Sequence, residues 1–189
     1  MKIMLVQGHP YEKSFNNEIA KTFKKAAKEA GHEVRLFDLA TADFDPVLRY
    51  GHAKEMPENE FINSAIESLI WCDKLVVNFP LWWSNIPSIL QGFFERAFVL
   101  DKIYKVTKEG TIEGQLKGRK AILIVTSGAA SDYVLTDEAM APSVLEKHVF
   151  PECGLELEEK LVFGLIDSST DEERNKYLEE VKELVKRLD

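Results

Sequence analysis

Three segments of the sequence carry side chains that could bind a ligand. "GHPYEKSFNNE" (8–18) contains an imidazole, an amine, a hydroxyl and two carboxamides, all donors suited to a phosphate. "FPLWWSN" (79–85) places two indoles side by side, and indoles can form a flat apolar wall. "TSGAASDYV" (126–134) combines small residues and backbone donors with a phenol. Such a loop can approach a planar ring closely and stabilise negative charge that develops on it.

Each of these segments follows a short apolar run that predicts a β-strand, and helical patterns separate the runs. The predicted strands are 2–7, 32–39, 74–80, 119–128 and 155–165. The predicted helices run from Phe15 to a stop at Gly31, over 58–73, over 86–98 with Pro87 in the first turn, over 138–150 with an interruption near Pro142, and over a C-terminal segment capped by Thr170 or Ser169. Residues 40–57 are predicted as loop with at most one helical turn, and 99–118 as an excursion or hairpin.

The alternation of strands and helices predicts an α/β protein with a parallel sheet covered on both faces. Five strands favour a flavodoxin-like doubly wound sheet over a six-stranded dinucleotide-binding fold. We expect a single domain over 1–189, with the excursion at 99–118. Ligands of such sheets bind beyond the carboxyl ends of the strands, where all three segments fall. The sequence therefore predicts one composite site.

Composition excludes several classes of partner. The net charge of −8 disfavours nucleic acid and anionic membrane surfaces, because both would repel the chain. The two cysteines, Cys72 and Cys153, fit neither a metal spacing nor a disulfide framework, so we expect reduced thiols, no metal and a cytoplasmic location. No apolar run approaches the roughly 20 residues of a membrane-spanning helix, which argues against an integral membrane protein.

Each segment also has a purely structural interpretation. Ser14 could simply cap a helix, the two indoles could fill the core, and 126–134 could be an ordinary turn. The first segment matches neither the phosphate loop of nucleoside triphosphatases nor the glycine pattern of dinucleotide-binding folds. Nucleotide binding by either of those motifs is therefore disfavoured.

Together, "HPYEKSFNNEI", "FPLWWSNIPSILQGFFERAF" and "TSGAASDY" resemble the NAD(P)H–quinone reductases of the flavodoxin-like fold. This family includes the bacterial potassium-efflux ancillary oxidoreductases and short NADPH dehydrogenases. The resemblance runs from the first strand to "CGLE" before the fifth, and its most specific part is the pattern F-P-L-x-W-x-x-x-P-x-I-L-x-G-[WF]-x-[DE]-R-x-F.

The resemblance implies a flavin-dependent oxidoreductase that takes hydride from NADPH or NADH and passes it to a quinone-like acceptor by ping-pong exchange. FMN is favoured over FAD because the short chain leaves little loop to hold an adenine. The implied contacts of the phosphate are His9, Ser14, Phe15 and Asn16. The implied contacts of the ring are Pro80, Leu81, Trp82, Trp83 and the backbone of Thr126, Ser127, Gly128 and Ala129.

Tyr133 is the implied catalytic residue, and a homodimer is implied in which Tyr104 of the excursion contributes to the partner's site. The sequence departs from the family in two places. Several animal members have a histidine soon after this tyrosine, whereas "VLTDEAMAP" follows Tyr133 here, and His148 is too distant to replace it. "DKIY" also stands where the excursion usually has glycine and alanine before its tyrosine.

Three other functions fit the same pattern less well. An electron-carrier flavodoxin would have a phosphate loop rich in serine, threonine and glycine after the first strand. A response-regulator receiver would have an acidic pair at the end of that strand. A flavoprotein that regulates a membrane transporter is compatible with catalysis, and azo or nitro compounds would be further acceptors of the same reduced flavin.

Overall fold

The computed structural model describes residues 1–51 and 53–188. Its strands are β1 (Lys2–Gln7), β2 (Glu33–Asp38), β3 (Lys74–Leu81), β4 (Tyr104–Val106), β5 (Ile112–Gly114), β6 (Arg119–Ser127) and β7 (Leu155–Phe163). Its α-helices are α1 (Phe15–Glu29), α2 (Glu60–Trp71), α3 (Ser88–Ala97), α4 (Ser131–Val134), α5 (Met140–Val144), α6 (Phe150–Cys153) and α7 (Asp171–Lys186).

Five parallel strands form the main sheet, in the order β2-β1-β3-β6-β7. This order confirms the predicted flavodoxin-like doubly wound sheet. The chain reverses direction across the sheet between β1 and β3, so the loops after these strands diverge and leave a crevice at their carboxyl ends. The loop after β6 lies next to that crevice because β6 pairs with β3.

Two apolar clusters cover the two faces of the sheet. Helices α1 and α7 pack on one face, and α2, α3 and the segment from α4 to α6 pack on the other. Every residue of β3 is buried, as expected of a central parallel strand covered on both faces. Helix α7 begins with a capping box in which Thr170 and Glu173 satisfy each other's backbone N–H groups.

The helix boundaries differ from the prediction in three places. Helix α3 begins at Ser88, so Pro87 is its N-cap residue rather than a residue of its first turn. The sequence predicts an interruption of the helix near Pro142, but Pro142 lies within α5. The irregular part comes later, at the π-helical turn Leu145–Val149 that joins α5 to α6. The short helix α4 falls within a segment that the sequence pattern assigns to a loop.

The excursion contains a small antiparallel hairpin of β4 and β5. Gly114 of this hairpin lies so close to Cys153 and Gly154 that a side chain there would overlap their backbone. The Leu116 N–H also donates to the Cys153 carbonyl at 2.9 Å. The hairpin is therefore held against the end of α6. In the described parts of the chain, every helix is too short or too polar to cross a membrane.

We predict that Gly92→Ala destabilises the fold. In an exposed helix this change would stabilise by about 1 kcal/mol, but a Cβ at residue 92 would overlap the carbonyl of Pro46. Overpacking of this kind costs roughly 1–3 kcal/mol. Urea denaturation measures the free energy of unfolding, and Gln91→Ala on the exposed side of α3 is the matched control. An unchanged midpoint for Gly92→Ala would show that this close contact does not constrain α3.

Candidate active site

A cleft of about 390 Å³ opens at the carboxyl edge of the sheet, beyond β3 and β6. Nine of the residues predicted for the site line it, all from the second and third segments. They are Pro80, Leu81, Trp82, Trp83, Thr126, Ser127, Gly128, Ala129 and Tyr133. The cleft is also lined by three residues that were not predicted from the sequence, namely Ser84, Ile166 and Asp167. The structure thus joins the second and third segments into one cavity.

The two indoles stand on a tight turn. Trp82 and Asn85 exchange both backbone hydrogen bonds at 2.9 Å, and the residues between them, Trp83 and Ser84, have φ of 52° and 56°. These features are typical of a two-residue type I′ turn, which strongly favours Asn-Gly over bulky residues. Trp83 is fully exposed and Trp82 is 44% exposed. Neither indole fills the core, which excludes the structural interpretation of this segment.

Tyr133 is joined to the same turn across the cleft. Its hydroxyl lies 2.8 Å from Ser84 Oγ and 3.3 Å from the carbonyl of Glu138. The Ala141 N–H donates to the Ser84 carbonyl at 3.0 Å. The segment from α4 to α5 therefore holds the indole turn in its left-handed conformation.

The third segment presents mostly backbone to the cleft. Ser127 Oγ accepts from the Ala129 N–H at 3.0 Å, and Thr126 is buried. A Cβ at Gly128 would lie 2.5 Å from Asp167 Oδ2, so a larger residue there would require this exposed carboxylate to move. The loop after β7 reaches this position because the Leu165 N–H donates to the Ala129 carbonyl at 3.0 Å.

The first segment lies beside the cleft rather than in its wall. The imidazole of His9 contacts the indole of Trp82 edge-on, with 5.1 Å between ring centroids. The backbone N–H of Tyr11 donates to His9 Nδ1 at 2.9 Å. Because burial lowers the pKa of His9, its imidazole is neutral near pH 7, as that hydrogen bond requires.

The side chains at the start of α1 already have structural partners. Ser14 Oγ caps the helix by accepting from the Asn17 N–H at 3.2 Å. Phe15 packs on the α1–α7 side of the sheet, with the Arg174 guanidinium 5.6 Å from its ring centroid. The Ser14 N–H also donates to the Tyr11 carbonyl at 3.1 Å, so both the hydroxyl and the backbone N–H of Ser14 have partners within the protein.

Asn16 belongs to a buried hydrogen-bond network with the central strands. Its Nδ2 donates to Asn78 Oδ1 at 3.0 Å, and Asn78 Nδ2 donates to the Asn16 carbonyl at 2.7 Å. Asn16 Oδ1 accepts from Thr126 Oγ1 at 2.9 Å. The Gly8 N–H donates to the Asn78 carbonyl at 2.8 Å. This network, called here the Asn16–Asn78–Thr126 network, connects the first and third segments to β3, at the residue directly before the second segment.

Two kinds of unpaired group remain near the first segment. Among residues 1–51 and 53–188, no protein acceptor is found for the backbone N–H groups of Phe15 and Asn16 in the first turn of α1. Within the same residues, the buried Asn17 Oδ1 has no donor, although Asn17 Nδ2 donates to Asp38 at 2.8 Å. Free N–H groups at a helix N-terminus attract an anion.

Tyr104 lies outside this cleft. It lines a second cavity of about 500 Å³ between α2, α3 and the start of the excursion. The two cysteines are also remote from the cleft, and burial raises the pKa of Cys72 to about 11 and that of Cys153 to about 12. His148 is exposed on the π-helical turn.

Comparisons with known proteins identify the family. A family described as having a flavodoxin-like fold matches residues 1–185, and the chain belongs to it. An NAD(P)H oxidoreductase of Haemophilus influenzae is 27% identical over 95% of this chain and 91% of its own. Mouse ribosyldihydronicotinamide dehydrogenase [quinone] is 27% identical over 92% and 85%, respectively. A Streptococcus mutans protein of known structure is 31% identical over both full chains, with a TM-score of 0.84. These matches confirm the family indicated by the three motifs.

We predict that His9 makes the stability of the protein without flavin fall as the pH falls. The pKa of His9 is lowered on folding from its ordinary value near 6.5, so its stabilising effect is complete well above pH 6.5 and is lost as the pH falls through that value towards the folded pKa. His9→Asn keeps an acceptor for the Tyr11 N–H but cannot titrate, so the variant should lose less stability.

Urea denaturation at pH 7.5 and pH 5.5 tests this prediction. The pKa of His32 is also lowered, by burial first, so the variant should retain part of the pH dependence. Equal losses of unfolding free energy in wild type and His9→Asn would contradict it.

Proposed function

We propose that this protein is a flavin-dependent oxidoreductase that carries electrons from NADPH or NADH to quinones. The observation that carries the proposal is the meeting, at one edge of the sheet, of the indole-walled cleft with the unpaired N–H groups of α1. The relatives named as NAD(P)H oxidoreductase and quinone dehydrogenase support the same reaction class.

The cleft suits the ring of a flavin. Trp82 and Trp83 offer flat apolar surface, and Pro80 and Leu81 continue that wall towards β3. Opposite them, Thr126, Ser127, Gly128 and Ala129 present small side chains and backbone groups to the cavity. Because the side chains of this loop are small, a planar ring could approach its backbone, with the Asp167 carboxylate lying beside Gly128.

The first turn of α1 suits the flavin phosphate. The N–H groups of Phe15 and Asn16 and the helix dipole would bind the anion, with His9 between the helix and the cleft. We propose FMN rather than FAD because the two unpaired N–H groups of this turn suit a single phosphate. In this arrangement the side chains of Ser14 and Asn16 fix the helix end, and Asn16 also contributes its backbone N–H.

The bound flavin would accept hydride from the nicotinamide and pass two electrons to the acceptor. The chain's residues would do three things around it. The indoles would exclude water from the slot that donor and acceptor occupy in turn. Backbone N–H groups of 126–129 would stabilise negative charge at the ring edge. The Tyr133 hydroxyl would donate a hydrogen bond to an oxygen of the acceptor.

The proposed assembly is a homodimer in the cytoplasm. Trp83 is fully exposed in the single chain. An exposed indole of this kind supports the proposal that a second chain covers the mouth of the cleft. We propose that Tyr104 of the partner's excursion would complete that mouth. Buried free thiols at Cys72 and Cys153 are consistent with a reducing compartment.

We predict that the purified protein is yellow or can be loaded with FMN. Anaerobic addition of NADPH or NADH should bleach the flavin absorbance, and a quinone should restore it. A protein that cannot be loaded with FMN or FAD would refute the flavoenzyme. A flavin that dithionite reduces but neither nicotinamide bleaches would indicate an electron carrier instead.

We predict that Trp83→Ala weakens FMN binding about tenfold, the amount expected from losing one aromatic stacking contact. Because Trp83 is fully exposed, its removal should leave the fold intact. Fluorescence titration of the flavin-free protein with FMN measures the affinity. The matched control is Tyr50→Ala, which removes an exposed aromatic ring that contacts Lys54 outside the cleft. Equal affinities of wild type and Trp83→Ala would remove Trp83 from the binding site.

A further inference from the structure

The hydroxyl of Ser84 contacts the hydroxyl of Tyr133 across the cleft. Their oxygens are 2.8 Å apart, well within hydrogen-bond distance. The two residues are 49 positions apart in the sequence and lie on different segments of the site. The contact therefore exists only because the fold brings the loop after β3 against α4.

The direction of this hydrogen bond follows from the second partner of Tyr133. The carbonyl of Glu138, 3.3 Å from the phenol oxygen, can only accept. Tyr133 has one proton, so both contacts are satisfied together only when Ser84 donates to Tyr133 and Tyr133 donates to Glu138. In this arrangement the Ser84 proton points at the phenol oxygen.

The bond to Glu138 is the weaker of the two. Its 3.3 Å separation is long for a bond between hydroxyl and carbonyl oxygens. An acceptor oxygen in the cleft can therefore replace the Glu138 carbonyl as the group to which Tyr133 donates its hydrogen bond. Ser84 can continue to donate to the Tyr133 oxygen while this happens. Among the described residues, Ser84 and Glu138 are the only hydrogen-bond partners of this hydroxyl, and neither partner group is ionisable.

We propose that Ser84 is a positioning residue for the reduction of carbonyl acceptors. By donating to the Tyr133 oxygen, Ser84 orients the phenol and polarises it, so that its proton is presented to the acceptor oxygen as electrons arrive there. This inference deepens the proposed function and rests on it. In this proposal the Ser84 hydroxyl, on the turn that carries the two indoles, supports Tyr133.

The backbone of the turn does not account for a serine at this position. The φ of Ser84 is 56°, a left-handed conformation that glycine and asparagine adopt with less strain. A residue chosen only for the turn would be one of those two. The serine side chain instead provides the hydroxyl that reaches Tyr133, which favours a role for that group.

The kinetic test compares two acceptors in the FMN-loaded enzyme with saturating NADPH or NADH. A benzoquinone accepts at an oxygen, whereas ferricyanide accepts one electron and needs no hydrogen bond from the protein. Ser84→Ala and Tyr133→Phe should each lower kcat/KM for the quinone about tenfold, the effect of one hydrogen bond. The double variant should be no slower than Tyr133→Phe, and in all three variants the loss with ferricyanide should be clearly smaller than the loss with the quinone.

Ser84→Gly is the matched control for the turn. Glycine relaxes the left-handed backbone but lacks the hydroxyl, so it should be as slow with the quinone as Ser84→Ala. Wild-type quinone reduction by Ser84→Gly or Ser84→Ala would overturn the proposal. An equal loss with ferricyanide would also overturn it, since that result indicates disturbed flavin binding. A wild-type enzyme that reduces neither acceptor would refute the proposed function itself.

A second readout needs neither flavin nor turnover. In flavin-free protein with ¹³Cζ-labelled tyrosine, the Tyr133 resonance is identified among five by its loss in Tyr133→Phe. Ser84→Ala and Ser84→Gly should both shift this resonance and leave the other four in place. A Tyr133 resonance that does not move in either variant would show that the hydroxyls do not interact, which also overturns the proposal.

Discussion

The Asn16–Asn78–Thr126 network is the constraint on which the site depends. It is buried, and a carboxamide removed from water costs several kcal/mol unless each polar group is paired, roughly 2–7 kcal/mol by transfer measurements. The network satisfies these groups only when the start of α1, the middle of β3 and the end of β6 hold one relative position. Three loops that are distant in sequence therefore share one geometry before any ligand binds.

A second constraint acts locally on the indoles. Left-handed backbone costs roughly 1–2 kcal/mol for a residue that is not glycine, and Trp83 and Ser84 both adopt it. The reciprocal bonds of Trp82 and Asn85 and the hydrogen bonds to α4 and α5 hold the turn in place. Strain that the surroundings maintain is concentrated at functional sites. Here it keeps a fully exposed indole at the mouth of the cleft, where burial cannot hold it.

The sheet and the position of the site could be predicted because their signals are local. Five apolar runs between helical patterns define the strands, and the rule for doubly wound sheets then places ligands at their carboxyl ends. Partners of individual side chains could not be predicted, because they depend on residues brought together by the fold. Asn16 appears as a phosphate donor in sequence, yet its carboxamide is used within the network. Ile166 and Asp167 follow β7 in a segment that has no distinctive residue pattern, so the sequence did not indicate that they line the cleft.

The division between side chains and backbone explains how a chain of net charge −8 could hold a phosphate. The backbone N–H groups of Phe15 and Asn16 carry no formal charge, and burial lowers the pKa of the neighbouring His9, which disfavours its charged form. The side chains of Ser14 and Asn16 hold the end of α1, where the N–H groups of Phe15 and Asn16 have no acceptor among the described residues. Oriented backbone dipoles can attract an anion without a formal charge. The same principle applies at 126–129, where small residues leave the backbone accessible. Both halves of the proposed site would thus depend mainly on backbone conformation, which the polar side chains of the motifs help to maintain.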